Sequence, residues 1–242
     1  MRATATGISW TRVRGISAKE LTEFRRSGSI ISTMAVIPLV FMLPPMVQIL
    51  TSSAGTLASG DRLMYLLGIP AIVPAVIAAY AVVGERQQGT LEPVLTTPLR
   101  REELLLGKAI AVLAPSLVIS YAVYGIALAL VEILAKPGVA TAVLKGSEIL
   151  AQVIFTPLVA GWAIWAGMAI STRARDVRVS QQLGTLVSLP VFAVAALIAF
   201  DAIHPSLGLA LGLGAALVAV DVIGWRVTSG LFDRERLITG SK

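Results

Sequence analysis

Long apolar runs dominate the chain, and six of them approach the length that crosses a bilayer. They cover residues 31–50, 63–83, 105–134, 149–171, 183–200 and 206–224. A helix needs about 20 apolar residues to cross a hydrocarbon core of about 30 Å, because it rises about 1.5 Å per residue. The runs are continuous rather than alternating, and open sheet edges cannot face lipid. The pattern therefore predicts an all-α membrane protein with six transmembrane helices.

The N-terminal segment, residues 1–30, has a different pattern, in which apolar and charged residues separate onto two helical faces. One face carries Trp10, Val13, Leu21 and Phe24 together with the small Ser17. The opposite face carries Arg12, Lys19, Glu23 and Arg26, while Ile16 falls outside the apolar stripe. We expect an amphipathic helix at the membrane surface, with its basic side toward lipid headgroups or a partner. A partly ordered tail is the alternative.

Composition supports the membrane assignment, and the distribution of charge gives an orientation. Only 14% of the residues are charged and the mean hydropathy is +0.82, whereas soluble domains carry about a quarter charged residues. Of the 20 Lys and Arg residues, only Arg62, Lys136 and Lys145 fall on the side that lacks the termini. The positive-inside rule then places both termini in the cytoplasm. The heavy use of Ala, Val, Leu, Gly and Arg, with only five Lys, is compatible with a high-GC bacterial genome, so we expect a bacterial plasma membrane. The net charge of +6 follows from this topology, so we expect membrane lipids and no nucleic acid as partners.

This topology divides the chain into three parts. Residues 1–30 form the interfacial helix, residues 31–225 the six-helix membrane domain and residues 226–242 a cytoplasmic tail.

One connector between apolar runs is densely charged. Residues 84–108 have the sequence GERQQGTLEPVLTTPLRREELLLGK and hold eight charged residues of both signs. Gly89 is a candidate helix break, Thr97 followed by Pro98 is a typical N-cap and first helical position, and Glu102 and Glu103 suit a first helical turn. The pattern predicts a compact helix–turn–helix elbow on the cytoplasmic side, joined stiffly to the second and third spans.

Signatures of catalysis and of metal binding are missing from the sequence. The Gly107–Lys108 pair lacks the upstream glycine and the following Ser or Thr of a P-loop, and neither HExxH nor GxSxG occurs. With no cysteine and the single His204, we predict no catalytic residue, no cofactor site and no metal site. Acidic groups within the spans are sparse, and we expect Asp221 to be satisfied by Arg226 or by a neighbouring helix. A proton- or ion-coupled carrier needs such groups near the midplane, so their scarcity leaves any energy source outside this polypeptide.

The connector resembles the intracellular signature of ABC-2 type transporter permeases, approximately ER-x-x-GT-[LI]-E-x-[LI]-x-x-[TS]-P-[VLI]-x-x-x-[ED]-[LIY]-x-x-G-K. The matching positions are Glu85, Arg86, Gly89, Thr90, Leu91, Glu92, Thr97, Pro98, Leu99, Glu103, Leu104, Gly107 and Lys108. Pro93 departs from the pattern and leaves the end of the first cytoplasmic helix open. The amphipathic N-terminal segment, the six runs and the cytoplasmic termini also resemble that family's plan.

The resemblance implies a membrane subunit of an ATP-driven exporter. In such exporters two permease subunits, identical or similar, pair with each other, and each rests on a separate ATP-binding subunit that holds ATP and Mg²⁺. The elbow acts as the coupling element, and the resemblance assigns this role to Glu85, Arg86, Gly89, Thr90, Glu92, Thr97, Pro98, Arg100, Arg101 and Glu102. A second contact candidate lies in the next cytoplasmic loop, at Arg173, Arg175, Asp176 and Arg178, where solvated topology charges are the alternative.

Other functions remain open at this point. The near-uncharged spans favour a drug, a lipid or another amphipathic small molecule as substrate. The alternatives are a secondary transporter or an ion-extrusion permease, for example for sodium efflux, and a membrane assembly subunit that does not transport.

Overall fold

The structure is a computed structural model that describes residues 8–57, 61–87, 89, 99–174 and 176–231. Throughout these ranges the regular secondary structure is helical. The helices are α1 (Trp10–Arg26), α2 (Gly28–Thr51), α3 (Ala54–Leu57), a 3₁₀ helix (Arg62–Leu67), α4 (Gly68–Tyr80), α5 (Val83–Gln87), α6 (Arg101–Leu134), α7 (Val139–Val143), α8 (Gly146–Arg173), α9 (Val177–Ala199) and α10 (Leu207–Leu231).

Six stretches of the described chain are long and apolar enough to cross a membrane, which confirms the predicted number. We call them spans 1 to 6: α2, the stretch Arg62–Glu85, α6, α8, α9 and α10. Several helices extend past the apolar runs because polar groups cap them. The helix of span 5, for example, begins at Val177, where the Asp176 carboxylate accepts the backbone N–H groups of Arg178 and Val179.

Span 2 forms the centre of the bundle. It is the most deeply buried of the six, and α4 packs against α2, α6, α8 and α9. Small residues permit these close approaches: a Cβ atom on Gly167 of α8 would lie 2.7 Å from the carbonyl oxygen of Ala75. Any displacement of span 2 is therefore felt by four neighbouring helices.

Span 6 lies at the periphery and packs mainly on α8. The rings of Trp165 and Trp225 meet edge to face, with centroids 5.5 Å apart. The Asp221 carboxylate lies against Gly161 of α8, where an added Cβ atom would come within 2.8 Å of its oxygens. The expected partner for Asp221 is not found among the described residues: its Oδ1 atom is buried without a hydrogen bond, because the surface of α8 that it meets at Gly161 offers no side-chain donor.

Helix α1 packs on α6, but with a different face from the predicted one. The residues it buries are Val13, Ile16, Ser17, Glu20 and Phe24. The placement of Ile16 outside the packed stripe was wrong, because its side chain covers Gly107, whose missing Cβ atom leaves room for it. Trp10, expected on the same face as Val13, is 61% exposed.

The bundle has two distinct ends. The α1 end holds α1, the last residues of span 2 and the start of α6. The far end holds Asp61, the end of α2, the end of α6 and the start of α8. There the Lys136 ammonium donates a hydrogen bond to the Thr51 carbonyl, and the Lys145 ammonium donates one to the Asp61 carboxylate. Spans 3 and 4 therefore run antiparallel between the two ends.

The tight crossing of spans 2 and 4 predicts that Gly167→Ala destabilises the bundle. The new methyl group must push the Ala75 backbone away, which costs about 1–3 kcal/mol and lowers the thermal unfolding midpoint in detergent. Gly212→Ala is the matched control, since no atom lies within 4 Å of its added Cβ and alanine favours helix by about 1 kcal/mol. Equal midpoint shifts in the two variants would contradict this packing.

Candidate functional site

The Lys108 side chain is the centre of a charged cluster at the α1 end. It is 1% exposed, and its ammonium group lies 2.8 Å from Glu20 Oε1 and 3.0 Å from Glu85 Oε1. It also donates a hydrogen bond of 3.0 Å to the Ala81 carbonyl. A lysine has three N–H donors, and these three acceptors use all of them. One buried charge thus joins α1, the end of span 2 and the start of α6.

Lys19 adds a second cation to this cluster. Its ammonium lies 3.1 Å from Glu85 Oε1, 3.1 Å from Glu23 Oε1 and 3.7 Å from Glu20 Oε1. Partial burial lowers the pKa of Lys19, but the carboxylates of Glu85, Glu20 and Glu23 outweigh it and hold the pKa above its ordinary value. We call Lys19, Glu20, Glu85 and Lys108 the Lys108 cluster; two ammonium groups balance two buried carboxylates.

The carboxylates of Glu20, Glu23 and Glu85 have oxygens within 4.8 Å of one another, which is close enough for three ligands of one metal ion. The ammonium groups of Lys19 and Lys108, however, already lie among these oxygens. The cluster is therefore an ion-pair network, and its carboxylates do not form a vacant metal centre.

Glu103 makes a second connection between α1 and α6. It is fully buried, and its Oε1 atom accepts the Ser9 backbone N–H at 2.9 Å and pairs with Arg12 at 3.1 Å. Its Oε2 atom accepts the Arg100 backbone N–H at 3.1 Å. The Ser17 hydroxyl, lying further along α1, donates to the Gly107 carbonyl at 2.9 Å. The start of α6 is thus fixed to α1 along about two turns of α1.

The start of α6 corrects one sequence prediction. Thr97 and Pro98 were expected to cap and begin this helix, but α6 begins at Arg101, and its N-cap residue Arg100 is extended. The Glu103 carboxylate on the Arg100 N–H provides the cap instead.

Span 2 is interrupted at its α1 end, at Ala81 and Val82, between α4 and α5. The Ser171 hydroxyl of α8 accepts the backbone N–H groups of Val82 and Val83, at 2.9 and 3.0 Å. On the opposite side of the break, the Ser180 hydroxyl of α9 donates to the Ala79 carbonyl at 2.8 Å. Together with Lys108 on Ala81, side chains of three spans satisfy the freed backbone groups. Sequence reasoning missed both serines, since isolated serines in apolar helices carry no distinctive pattern.

The predicted coupling residues fall into different settings. Glu85 is 5% exposed and belongs to the Lys108 cluster, whereas Arg100 and Arg101 are exposed and Arg101 pairs with Glu102 at 3.1 Å. Gly89 has a φ of +69°, a conformation that favours glycine, just after α5 ends at Gln87. Residues outside the described ranges are Thr90, Leu91, Glu92, Thr97 and Pro98, and the Arg86 side chain is not described.

The secondary candidates lie at the same end of the bundle. Arg173 ends α8, Asp176 caps α9, and both line an open groove with Ile170, Val179 and Leu183. Arg178 is exposed, and Arg175 lies outside the described residues. The α1 end therefore collects the exposed charges of the loop between spans 4 and 5 as well as those at the root of the connector.

The fold and the clustering of charge at one end define a multi-pass helical membrane protein. A family model described as ABC-2 family transporter protein matches residues 14–210. The chain belongs to this family and is a membrane component of an ABC-2 transporter. No curated protein matches the chain.

The geometry of the Lys108 cluster predicts a large loss of stability in Lys108→Met. Removing the ammonium leaves two buried carboxylates, Glu20 and Glu85, facing the single partly exposed ammonium of Lys19, which costs about 3–5 kcal/mol of unfolding free energy. Hydrogen exchange of the α1 amides should accelerate, because α1 loses its central anchor.

The matched control for Lys108→Met is Glu23→Gln, which removes an exposed partner of Lys19 and should change stability by less than about 1 kcal/mol. Adding Glu20→Gln to Lys108→Met should restore part of the loss, since one buried charge is then gone. If Lys108→Met were no more destabilising than the control, the cluster would not hold α1.

Proposed function

We propose that this chain is the permease subunit of an ATP-driven ABC-2 exporter and that the connector of residues 84–108 couples it to a separate ATP-binding subunit. The observation that carries the proposal is the anchoring of the connector at both roots. Glu85 at one root and Lys108 at the other form an ion pair with each other, while Arg100 and Arg101 between them are exposed. Exposed charges beside a rigidly held root are suited to receive force from a partner.

Closure of the ATP-bound partner subunits would push the connector toward the bundle. Its roots move together because Lys108 joins them, and α1 moves with them through Glu20. The break at Ala81 and Val82 lets the end of span 2 change direction, while the hydroxyls of Ser171 and Ser180 keep its backbone groups satisfied. Because span 2 contacts four other helices, the displacement reaches most of the bundle.

The proposed complex is an assembly of paired permease subunits with a defined orientation in the membrane. Two permease subunits, identical or similar, pair in the bacterial plasma membrane, with the α1 end and both termini cytoplasmic. The abundance of Lys and Arg on the side of the termini supports that orientation. ATP and Mg²⁺ bind the partner subunits, and the transported molecule is a drug, a lipid or another amphipathic compound, as the apolar spans favour.

The coupling proposal predicts that Arg101→Glu weakens association with the separate ATP-binding subunit. Reversing an exposed charge places like charges across a complementary contact, so we expect at least a tenfold loss, about 1.4 kcal/mol, in co-purified partner and in transport-coupled ATP hydrolysis. Glu92→Lys in the middle of the connector should have the same effect.

Lys136→Glu is the matched control, because Lys136 is exposed at the far end and should leave association unchanged. Normal association and coupled hydrolysis in both connector variants would remove the docking claim. Purification of an active transporter without any ATPase would favour a secondary transporter or an ion-extrusion permease, and a stable complex without transport would favour an assembly subunit.

A further inference from the structure

Two buried polar faces lie on spans 3 and 4, within an otherwise apolar part of the bundle. On α6, Ser116, Ser120 and Tyr124 are spaced four residues apart and share one face. On α8, Glu148, Gln152 and Thr156 have the same spacing and are 2%, 1% and 0% exposed. Three polar positions in register on each of two helices are far more than an apolar span needs.

The two faces lie at matching depths. Spans 3 and 4 run antiparallel, and the Tyr121 hydroxyl donates to the Val153 carbonyl at 2.9 Å, which fixes their relative height. Three residues further toward the far end on α6, Tyr124 reaches the level of α8 that lies between Glu148 and Gln152. Moving from Tyr124 and from Glu148 toward the α1 end, Ser120 and Gln152 follow one turn deeper, and Ser116 and Thr156 one further turn.

Most of these polar atoms have no hydrogen-bond partner in the described part of the chain. They are Ser120 Oγ, Tyr124 Oη, both Glu148 carboxylate oxygens, Gln152 Oε1 and Thr156 Oγ1, all of them buried. Ser116 differs, because its hydroxyl donates to the Val112 carbonyl. An orphaned buried polar group costs about 1–3 kcal/mol, and native proteins satisfy nearly all of them. Six such unpartnered oxygen atoms on two neighbouring helix faces point to a bound ligand.

The charges around Glu148 do not balance. The Lys145 ammonium lies 3.0 Å from Asp61 Oδ1 and 3.5 Å from Glu148 Oε1, so one cation faces two carboxylates. Arg62, the next residue after Asp61, turns away: its guanidinium donates to the Ala199 carbonyl and lies 6.0 Å from the centre of the Phe200 ring. Asp61, Lys145 and Glu148 together therefore carry one net negative charge, and burying that charge is costly without a counter-ion.

We propose that Glu148, Gln152 and Tyr124 form a binding site for a small monovalent metal cation at the far end of the bundle. The unpartnered atoms of these three side chains are all oxygens, which are the ligands that hard cations prefer. Side chains on a helix tilt toward its N-terminus, so Gln152 leans toward Glu148. Lys145 holds Asp61 and Glu148 Oε1, and Glu148 Oε2 faces the cation.

The cation fits the charge and the oxygens better than the other counter-ions do. A proton on Glu148 would neutralise the net charge but would supply only one donor, so either the Gln152 or the Tyr124 oxygen would stay without a partner. A cation between the three residues contacts both oxygens. A divalent ion would convert a net charge of −1 into +1. The site lies at the opposite end of the bundle from the connector, so it stands independently of the coupling proposal.

The test is thermal unfolding of the purified full-length chain at fixed pH in LiCl, NaCl or KCl, each compared with choline chloride at the same ionic strength. At least one metal cation should raise the unfolding midpoint by about 4 °C at saturation, because a ligand that binds only the folded state stabilises it. Glu148→Gln should abolish this shift. Glu132→Gln, at an exposed glutamate of the same end, should keep it.

A second variant keeps the test decisive if Glu148→Gln folds poorly. Tyr124→Phe removes only the orphaned hydroxyl, so its midpoint in choline chloride should be unchanged or higher, while the cation concentration for half the shift should rise about tenfold. The proposal is overturned if no metal cation exceeds choline in the wild-type chain. It is equally overturned if Glu148→Gln and Tyr124→Phe respond as the wild type does, or if only a change of pH moves the midpoint.

Discussion

The buried ammonium group of Lys108 is the constraint on which the α1 end of this structure depends. A charge removed from water is tolerated only when it is paired and hydrogen-bonded, and its acceptors come from two other segments: Glu20 on α1, and Glu85 with the Ala81 carbonyl on span 2. All three donors are satisfied where α1, span 2 and α6 meet. The same contact fixes the two roots of the connector, since Glu85 and Lys108 stand there.

The two polar groups of the bundle differ in how completely they are satisfied, and this difference separates their roles. Around Lys108 every ammonium donor has a partner, and Glu103 and Ser17 reinforce the same contact between α1 and α6. Such a network holds the two roots of the connector firmly together. Around Glu148, buried oxygens are left without partners, and that is the property of a place where something binds.

The six spans could be predicted from the sequence because a continuous apolar run of bilayer length forms a membrane-spanning helix in nearly every case. Sequence reasoning also located the charged connector and the turn at Gly89. It failed where the answer depends on neighbouring helices: Ile16 packs only because Gly107 opposes it, and Glu85 is buried because Lys108 reaches it. Glu148 escaped attention because it stands one residue before the apolar run 149–171, where a charge normally marks a helix end in water. The serines at the break in span 2 are recognisable only from the backbone groups they satisfy.

The most direct measurement of the central claim is cysteine cross-linking of the assembled transporter. The chain has no cysteine, so single replacements at Arg101 and at Lys136 can each carry a short bifunctional reagent. The account predicts a permease–ATPase adduct from Arg101→Cys, with a yield that changes when ATP is added, and none from Lys136→Cys. An adduct from Lys136→Cys without one from Arg101→Cys would contradict it, because the partner would then rest on the opposite end of the bundle.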